Sequence, residues 1–164
     1  MTQTAVAAAS SGRNALELGD VTPHNVRQLR VLNAAIFPVA YQEAFYQSAP
    51  TLGEFAKLAY FNDIMVGAVC CRIEPEQKRL YIMTLGCLAP YRRLGLGALM
   101  LQHVLKECDH HLNTVESVYL HVQVGNEDAL AFYKKFGFVV TETLDQYYKR
   151  IEPAGAHVLV KRLC

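Results

Sequence analysis

The sequence predicts an α/β (α+β) fold, a mixed sheet flanked by helices. Three observations carry that expectation. Leu80-Tyr81-Ile82-Met83-Thr84-Leu85 reads as a buried strand that runs into a glycine-bearing loop and then an apolar-striped helix. Two apolar runs, residues 55–61 and 64–73, are separated only by Asn62-Asp63, which tolerate positive φ and therefore predict a hairpin. Behind Asn126, Ala129, Phe132, Tyr133 and Phe136 recur at helical spacing until Gly137 ends the pattern.

In chain order, residues 1–14 are rich in Ala, Ser and Thr and read as a disordered tail rather than a transit peptide, with residues 15–164 as one folded domain. Residues 15–19 predict a short strand. The 20–23 region starts a helix whose inner side carries Val26, Leu29, Leu32, Ala35 and Ile36. Phe37-Pro38-Val39 stops it, because proline disfavours helical backbone in the residue before it. A short helix is expected over 42–47. After the hairpin, the polar stretch 74–77 leads into a third strand, 78–88. The helix that follows runs to Cys108 with Leu94, Ala98, Leu101, Leu105 and Cys108 on one face. A polar linker, 109–116, precedes a strand over 118–123. There Tyr119, His121 and Gln123 alternate with Val118, Leu120 and Val122, turning the imidazole away from the aliphatic side. Asn126 suits a helix cap, with Glu127 and Asp128 at the positive end of the dipole. Residues 138–143 and 156–163 close as a hairpin with a long, tyrosine-bearing connection.

At 164 residues, with 52% apolar and 19% charged side chains, the chain can bury a substantial core. Its 16 basic and 15 acidic residues nearly cancel, and no extended basic patch appears. That argues against a nucleic-acid binder, whose affinity comes from many phosphate contacts, and favours a small molecule or a peptide as partner. Five cysteines (Cys70, Cys71, Cys87, Cys108, Cys164) include no C-x-x-C pair, and no histidine spacing suits zinc, so no metal is expected. They read as buried thiols in a reducing compartment. No apolar run reaches the ~18 residues of a membrane span.

The stretch Leu88-Ala89-Pro90-Tyr91-Arg92-Arg93-Leu94-Gly95-Leu96-Gly97-Ala98 opens the helix after the 78–88 strand and reads as a pyrophosphate cradle. Glycine lets the backbone approach an anion, and unpaired amides of a first helical turn point at it with the positive end of the dipole. Arg92 and Arg93 add charge at the rim. Alone, the pattern also describes an ordinary glycine-containing helix start.

Arg92-x-x-Gly95-x-Gly97 matches the R/Q-x-x-G-x-G/A pattern of the GCN5-related N-acetyltransferases. Asn126-x-x-Ala129-x-x-Phe132-Tyr133-x-x-x-Gly137-Phe138 is similar to the other signature of that family and follows in the right order. From Leu16 onward the chain further resembles the eukaryotic N-terminal acetyltransferases of the NatE type. The resembling segments include Glu17-Leu18-Gly19-Asp20, Phe37-Pro38-Val39, Tyr119-Leu120-His121-Val122-Gln123 and Tyr147-Tyr148-Lys149-Arg150-Ile151-Glu152-Pro153. The resemblance implies a sheet of about seven mostly antiparallel strands with about four helices, splayed where acetyl-coenzyme A lies.

Several roles follow from the resemblance alone. Leu85, Cys87, Leu88, Arg92, Arg93, Leu94, Gly95, Leu96, Gly97, Ala98, Asn126 and Tyr133 would line the coenzyme, with backbone amides near Leu85 holding the acetyl carbonyl. Tyr81 would orient water, His121 would take the proton, and Tyr133 would hydrogen-bond or protonate the departing thiolate. Phe37, Pro38, Val39, Tyr41, Met83, Tyr147, Tyr148 and Ile151 would form a peptide site for a methionine followed by an apolar residue. The implied partners are protein N-termini, a large auxiliary subunit and a related catalytic chain of a NatE complex, in the cytoplasm and secondarily the nucleus. Two alternatives stay open: a lysine or small-amine acetyltransferase of the same fold, and a mainly non-catalytic subunit of a ribosome-associated complex.

Overall fold

A computed structural model describes residues 14–163. The expected tail therefore lies, apart from Asn14, outside the described residues, as does Cys164. The described residues gather into two compact units, one made of residues 14–72 with Met83–His110, the other of Ile73–Ile82 with residues 111–163.

In the first unit, β1 (Leu16–Asp20) pairs antiparallel with β2 (Ala56–Phe61), and β2 pairs antiparallel with β3 (Ile64–Glu74). Asn62 (φ 48°) and Asp63 (φ 68°) make the hairpin turn in the conformation their tolerance of positive φ predicts. The first helix, α1 (Val26–Ile36), begins where the Asn25 side chain accepts from the Thr22 amide at 2.8 Å and donates to the Asp20 carbonyl at 2.9 Å. It ends as expected at Phe37, whose backbone is extended. Its buried residues are Leu29, Leu32 and Asn33, while Ala35, expected inside, is exposed. The helix thus turns its 29–32–33 edge inward and spends a polar side chain there; Asn33 Nδ2 donates to the Tyr46 hydroxyl at 3.4 Å.

Helix α2 (Glu43–Ser48) continues into a 3₁₀ stretch, Ala49–Phe55, that no apolar periodicity announced. The side chain of Lys57 on β2 is 1% exposed and donates to the Asp20 carboxylate (2.5 Å) and the Glu54 carboxylate (3.3 Å). Burial by itself would lower its pKa; the two carboxylates outweigh that and raise it.

Strand β4 (Arg79–Cys87) leads through a 3₁₀ turn, Ala89–Tyr91, to α3 (Leu96–Cys108). The buried residues of α3 are Leu96, Leu99, Met100, Leu101, Val104 and Cys108. Leu94, expected on the helical stripe, precedes the helix and is 43% exposed. Of the expected stripe, Leu101 and Cys108 are buried and Ala98 and Leu105 half-buried, and the ladder Leu96-Met100-Val104 widens the inward face beyond it.

In the second unit, β4 pairs in parallel with β5 (Ser117–Gln123) through Arg79↔Ser117, Leu80↔Val118 and Tyr81↔Tyr119. That ladder is three pairs long, while β4 continues to Cys87. Strand β5 pairs antiparallel with β7 (Ala156–Arg162), which pairs antiparallel with β6 (Val139–Leu144), the closing hairpin expected. Helix α4 (Glu127–Lys135) is capped by Asn126, whose side chain accepts from the Ala129 amide at 3.2 Å. Its core contacts come from Leu130 and Tyr133, and Gly137 (φ 92°) terminates it. Strand order is β1-β2-β3-β4-β5-β7-β6 in a mixed seven-stranded sheet.

Candidate active site

Along β4, Leu80, Ile82 and Thr84 are buried, whereas Tyr81, Met83 and Leu85 are half-buried, so the predicted site residues share one face of the strand. Beyond Tyr81 this strand is pressed close to its surroundings in the first unit. A Cβ on Gly86 would lie 2.9 Å from Ile36 Cγ2 and 3.1 Å from the Phe37 ring, and one on Gly67 would lie 2.8 Å from the Gly86 carbonyl oxygen. Gly86 lets the Phe37 loop sit on β4, and Gly67 lets β3 approach the backbone of β4, roles sequence reading missed although glycine inside a strand signals close backbone approach. Phe37 meets Tyr41 edge-on at 6.5 Å, and Tyr41 packs on Phe45 at 4.8 Å. Pro38 and Val39 are exposed, Met83 half-buried.

The cradle follows in the same unit. Leu88 N–H donates to the Val66 carbonyl (2.8 Å), and the Cys87 thiol points at the Tyr91 carbonyl (3.7 Å). Arg93 (φ 62°) and Gly95 (φ 97°, ψ 0°) then take left-handed backbone, which turns successive amides toward one side. Gly95 caps α3 without a side chain, and the first turn of this 13-residue helix carries no acidic residue. The amides of Leu96, Gly97 and Ala98 therefore receive no cap from Gly95, and Arg92 and Arg93 are exposed beside them. These features fit the diphosphate of a coenzyme: left-handed turns, an uncapped helix start, positive dipole and two guanidinium groups.

The second unit holds a polar and aromatic cluster. The Tyr81 hydroxyl lies 2.9 Å from His121 Nδ1, and the Tyr147 hydroxyl lies 3.4 Å from the same nitrogen. The His121 ring stacks on Tyr147 at 4.3 Å and 16° and meets Tyr81 edge-on at 5.5 Å. Burial pushes the His121 pKa down; Glu142 pulls it up and Arg79 pushes it down further, and the net direction is below the ordinary histidine value. Such a histidine is neutral near pH 7 and can accept a proton. Tyr148 packs edge-on against Tyr147 at 4.9 Å, and burial raises its pKa. Ile151 is half-buried on the same loop, which the Gln123 side chain ties down by donating to the Pro153 carbonyl at 2.8 Å.

Tyr133 on α4 is buried, edge-on to Phe132 (5.0 Å) and Phe138 (5.5 Å). Asn126 is committed to the α4 cap through its oxygen. The structure thus brings Tyr81, His121, Tyr147 and Tyr148 together in one unit, and Phe37, Tyr41, Met83 and the 85–98 run lie in the other.

One set of polar contacts beside the cluster escaped sequence reading. Tyr119 donates to the Glu74 carboxylate (2.9 and 3.0 Å), and Arg79 Nε donates to the same group (2.7 Å). Glu74 and Arg79 flank a short excursion with no helical spacing, so nothing in the linear pattern pairs them. The thiols of Cys70 and Cys108 are pushed up to about 12 by burial, and Cys71 rises well above the usual value for the same reason. Among the described residues, no group of three His, Cys, Asp or Glu could hold a metal ion, and no helix is long and apolar enough to cross a membrane.

Comparisons with known proteins bear on the family and the fold. The model of the acetyltransferase (GNAT) family matches residues 8–138. N-alpha-acetyltransferase 50 of Danio rerio is 63% identical over 150 residues, covering 90% of this chain and 89% of the relative. The probable N-acetyltransferase san of Drosophila melanogaster is 58% identical over 153 residues, covering 92% and 83%. A solved structure of Arabidopsis thaliana Naa50 in complex with the bisubstrate analogue CoA-Ac-MVNAL is 50% identical, with a TM-score of 0.83 over 89% of this chain and 97% of that one.

Proposed function

The chain belongs to the acetyltransferase (GNAT) family and is an acetyl-CoA-dependent acyltransferase, and from that premise we propose that it acetylates the α-amino group of protein N-termini that begin with methionine followed by an apolar residue. The observation that carries the reading is the 2.9 Å contact between the Tyr81 hydroxyl and His121 Nδ1, beside an imidazole that burial keeps neutral. The Arabidopsis relative holds an analogue joining coenzyme A to a peptide that starts Met-Val, which supports the same substrate class here.

Bound acetyl-coenzyme A supplies a thioester as acyl donor. The turn from Arg92 to Ala98 holds its diphosphate, and backbone amides near Leu85 donate to the acetyl carbonyl oxygen. Transfer is direct, within a ternary complex. As the amine nitrogen bonds the carbonyl carbon and the carbon–sulfur bond breaks, one proton leaves the nitrogen. A water relays it to the Tyr81 oxygen, and Tyr81 passes its own proton to His121 Nδ1 across the 2.9 Å contact. The Tyr133 hydroxyl returns a proton to the thiolate. Phe37, Pro38, Val39, Tyr41 and Met83, with Tyr147, Tyr148 and Ile151, receive the methionine and its neighbour.

In the same reading the protein works in the cytoplasm, with the nucleus as a second location, alongside a large auxiliary subunit and a related catalytic chain. Four buried cysteines without a disulfide, Cys70, Cys71, Cys87 and Cys108, suit a reducing compartment. Acetyl-CoA turnover on a Met-Leu peptide, beside the same peptide with a blocked α-amine and a free lysine, tests the proposal. Turnover of the free α-amine supports it; turnover of the blocked peptide alone moves the function to lysine, and binding without turnover of either makes the chain a non-catalytic subunit.

A further inference from the structure

Behind the Tyr81–His121 pair stands a second layer of side chains. Tyr119 on β5 is 9% exposed, and its ring stacks on Tyr81 with centroids 4.6 Å apart and planes 26° from parallel. Its hydroxyl is gripped by both oxygens of Glu74, at 2.9 and 3.0 Å. Arg79 closes the set: its Nε donates to Glu74 at 2.7 Å, and its guanidinium lies 4.2 Å from the Tyr119 ring centroid. The register Tyr81↔Tyr119 sets the two rings side by side.

We propose that Glu74 and Arg79, acting through Tyr119, are positioning residues for acyl transfer: they fix the ring on which Tyr81 stacks, so that the Tyr81 hydroxyl meets His121 Nδ1. The inference rests on the proton path through Tyr81 and His121 described above. A stacked phenol retains freedom to slide in its plane, and a ring anchored by a charged, two-oxygen acceptor removes much of that freedom from its neighbour. Glu74 grips the Tyr119 hydroxyl, and Tyr119 in turn meets the Tyr81 ring face to face, so the anchor acts on the proton path through the stack.

Arg79 has a second effect, because its charge opposes protonation of His121 while Glu142 on β6 favours it. The other groups on His121 are the Tyr81 and Tyr147 hydroxyls at Nδ1, with Tyr119 edge-on at 6.1 Å. Loss of the Arg79 charge therefore moves the acidic limb of the rate profile toward higher pH.

The test uses the full chain with acetyl-CoA and a Met-Leu peptide, and compares Tyr119→Phe, Glu74→Gln, the double variant, Arg79→Met and Arg79→Lys, each checked for folding by circular dichroism. Tyr119→Phe keeps the stacked ring and loses only the anchor. It should lower kcat on the order of tenfold with KM for acetyl-CoA within about twofold, the loss a displaced catalytic group brings. Glu74→Gln should do the same, and the double variant should be no slower than the slower single one, because both cut one linkage. Arg79→Met should raise the pH of the acidic limb, and Arg79→Lys should restore it. Single variants within twofold of the parent in kcat, Arg79→Met included, or multiplicative losses in the double variant would each overturn the proposal. Tyr81→Phe and His121→Ala run beside them: if those keep full kcat, the proton path itself fails, and if only those lose it, the path stands and the positioning role falls.

Discussion

Replacing Gly95 by alanine asks whether the coenzyme is held by backbone shape. Gly95 has φ 97° and ψ 0°, and a Cβ there would meet only Leu16 Cδ1 at 3.4 Å, an ordinary contact. The cost of the substitution is therefore conformational and not steric. An L-residue in left-handed backbone is disfavoured by roughly 1–2 kcal/mol. For a chain of this length each kcal/mol lowers Tm by about 2–4 °C, so Gly95→Ala should unfold about 2–8 °C earlier. The chain can relieve part of that strain by rotating the turn, which swings the amides of Leu96 and Gly97 away from their common direction. The measurable result is a KM for acetyl-CoA raised on the order of tenfold with peptide KM unchanged, since misdirected donors lose charge-assisted bonds.

The control is Gly53→Ala. Gly53 has φ 58°, with nothing within 4 Å of the place a Cβ would occupy, and it lies in the 3₁₀ stretch before β2, apart from the cradle in sequence. Strain there of about 1–3 kcal/mol should lower Tm at least as much while leaving the KM for acetyl-CoA alone. Thermal unfolding and steady-state kinetics on the two variants decide the matter. Equal KM values for parent and Gly95→Ala, or equal increases in both variants, would refute a backbone cradle at this turn.

Other outcomes follow from the same geometry. Tyr81→Phe and His121→Ala should each lower kcat by roughly 10²–10³ with little change in KM for acetyl-CoA, as loss of a positioned proton acceptor does; steady-state kinetics reads this directly. Because burial holds the folded-state pKa of His121 below its unfolded value, the unfolded chain binds the proton first on acidification. The stability that neutral His121 contributes is thus present above about pH 6.5 and lost as pH falls through the lowered folded value; urea midpoints should drop across that window in the parent and less in His121→Gln. Cys70, Cys71 and Cys108 should stay unlabelled by maleimide in the native protein and react only after unfolding, as mass spectrometry of labelled peptides would show.

Elements with a strong local signal were legible in the sequence. The hairpin at Asn62-Asp63, the cap at Asn126, the stop at Gly137 and the alternation around His121 all rest on conformational preferences of single residues or on period-two burial, which need no knowledge of the rest of the chain. The turn and helix start at Gly95 were legible for the same reason, since a glycine there announces left-handed backbone. What stayed hidden depends on non-local packing. The inward face of α3 was only partly legible: Leu101 and Cys108 are buried as the stripe implies, but Leu94 belongs to the stripe by spacing and to the turn by position. Glu74, Arg79 and Tyr119 meet across a turn and a strand register, and Gly86 matters only once Phe37 is packed on β4. A linear pattern names residue types; register decides which of them meet.

The basicity available at His121 bears on which amine the enzyme can use. An α-amine with pKa ~7.8 is about a quarter neutral at pH 7.4, whereas a lysine with pKa ~10.4 requires about 4 kcal/mol to deprotonate at that pH. An imidazole depressed below its ordinary value is a weaker base still, so it cannot supply that difference. It need not do so for an α-amine, of which a substantial fraction arrives already neutral and loses a proton only as the new bond forms. Juxtaposition of amine and thioester can then account for roughly 7 kcal/mol or more of the barrier reduction. A weak, half-buried base joined to a phenol at 2.9 Å is therefore better matched to protein N-termini than to lysine side chains.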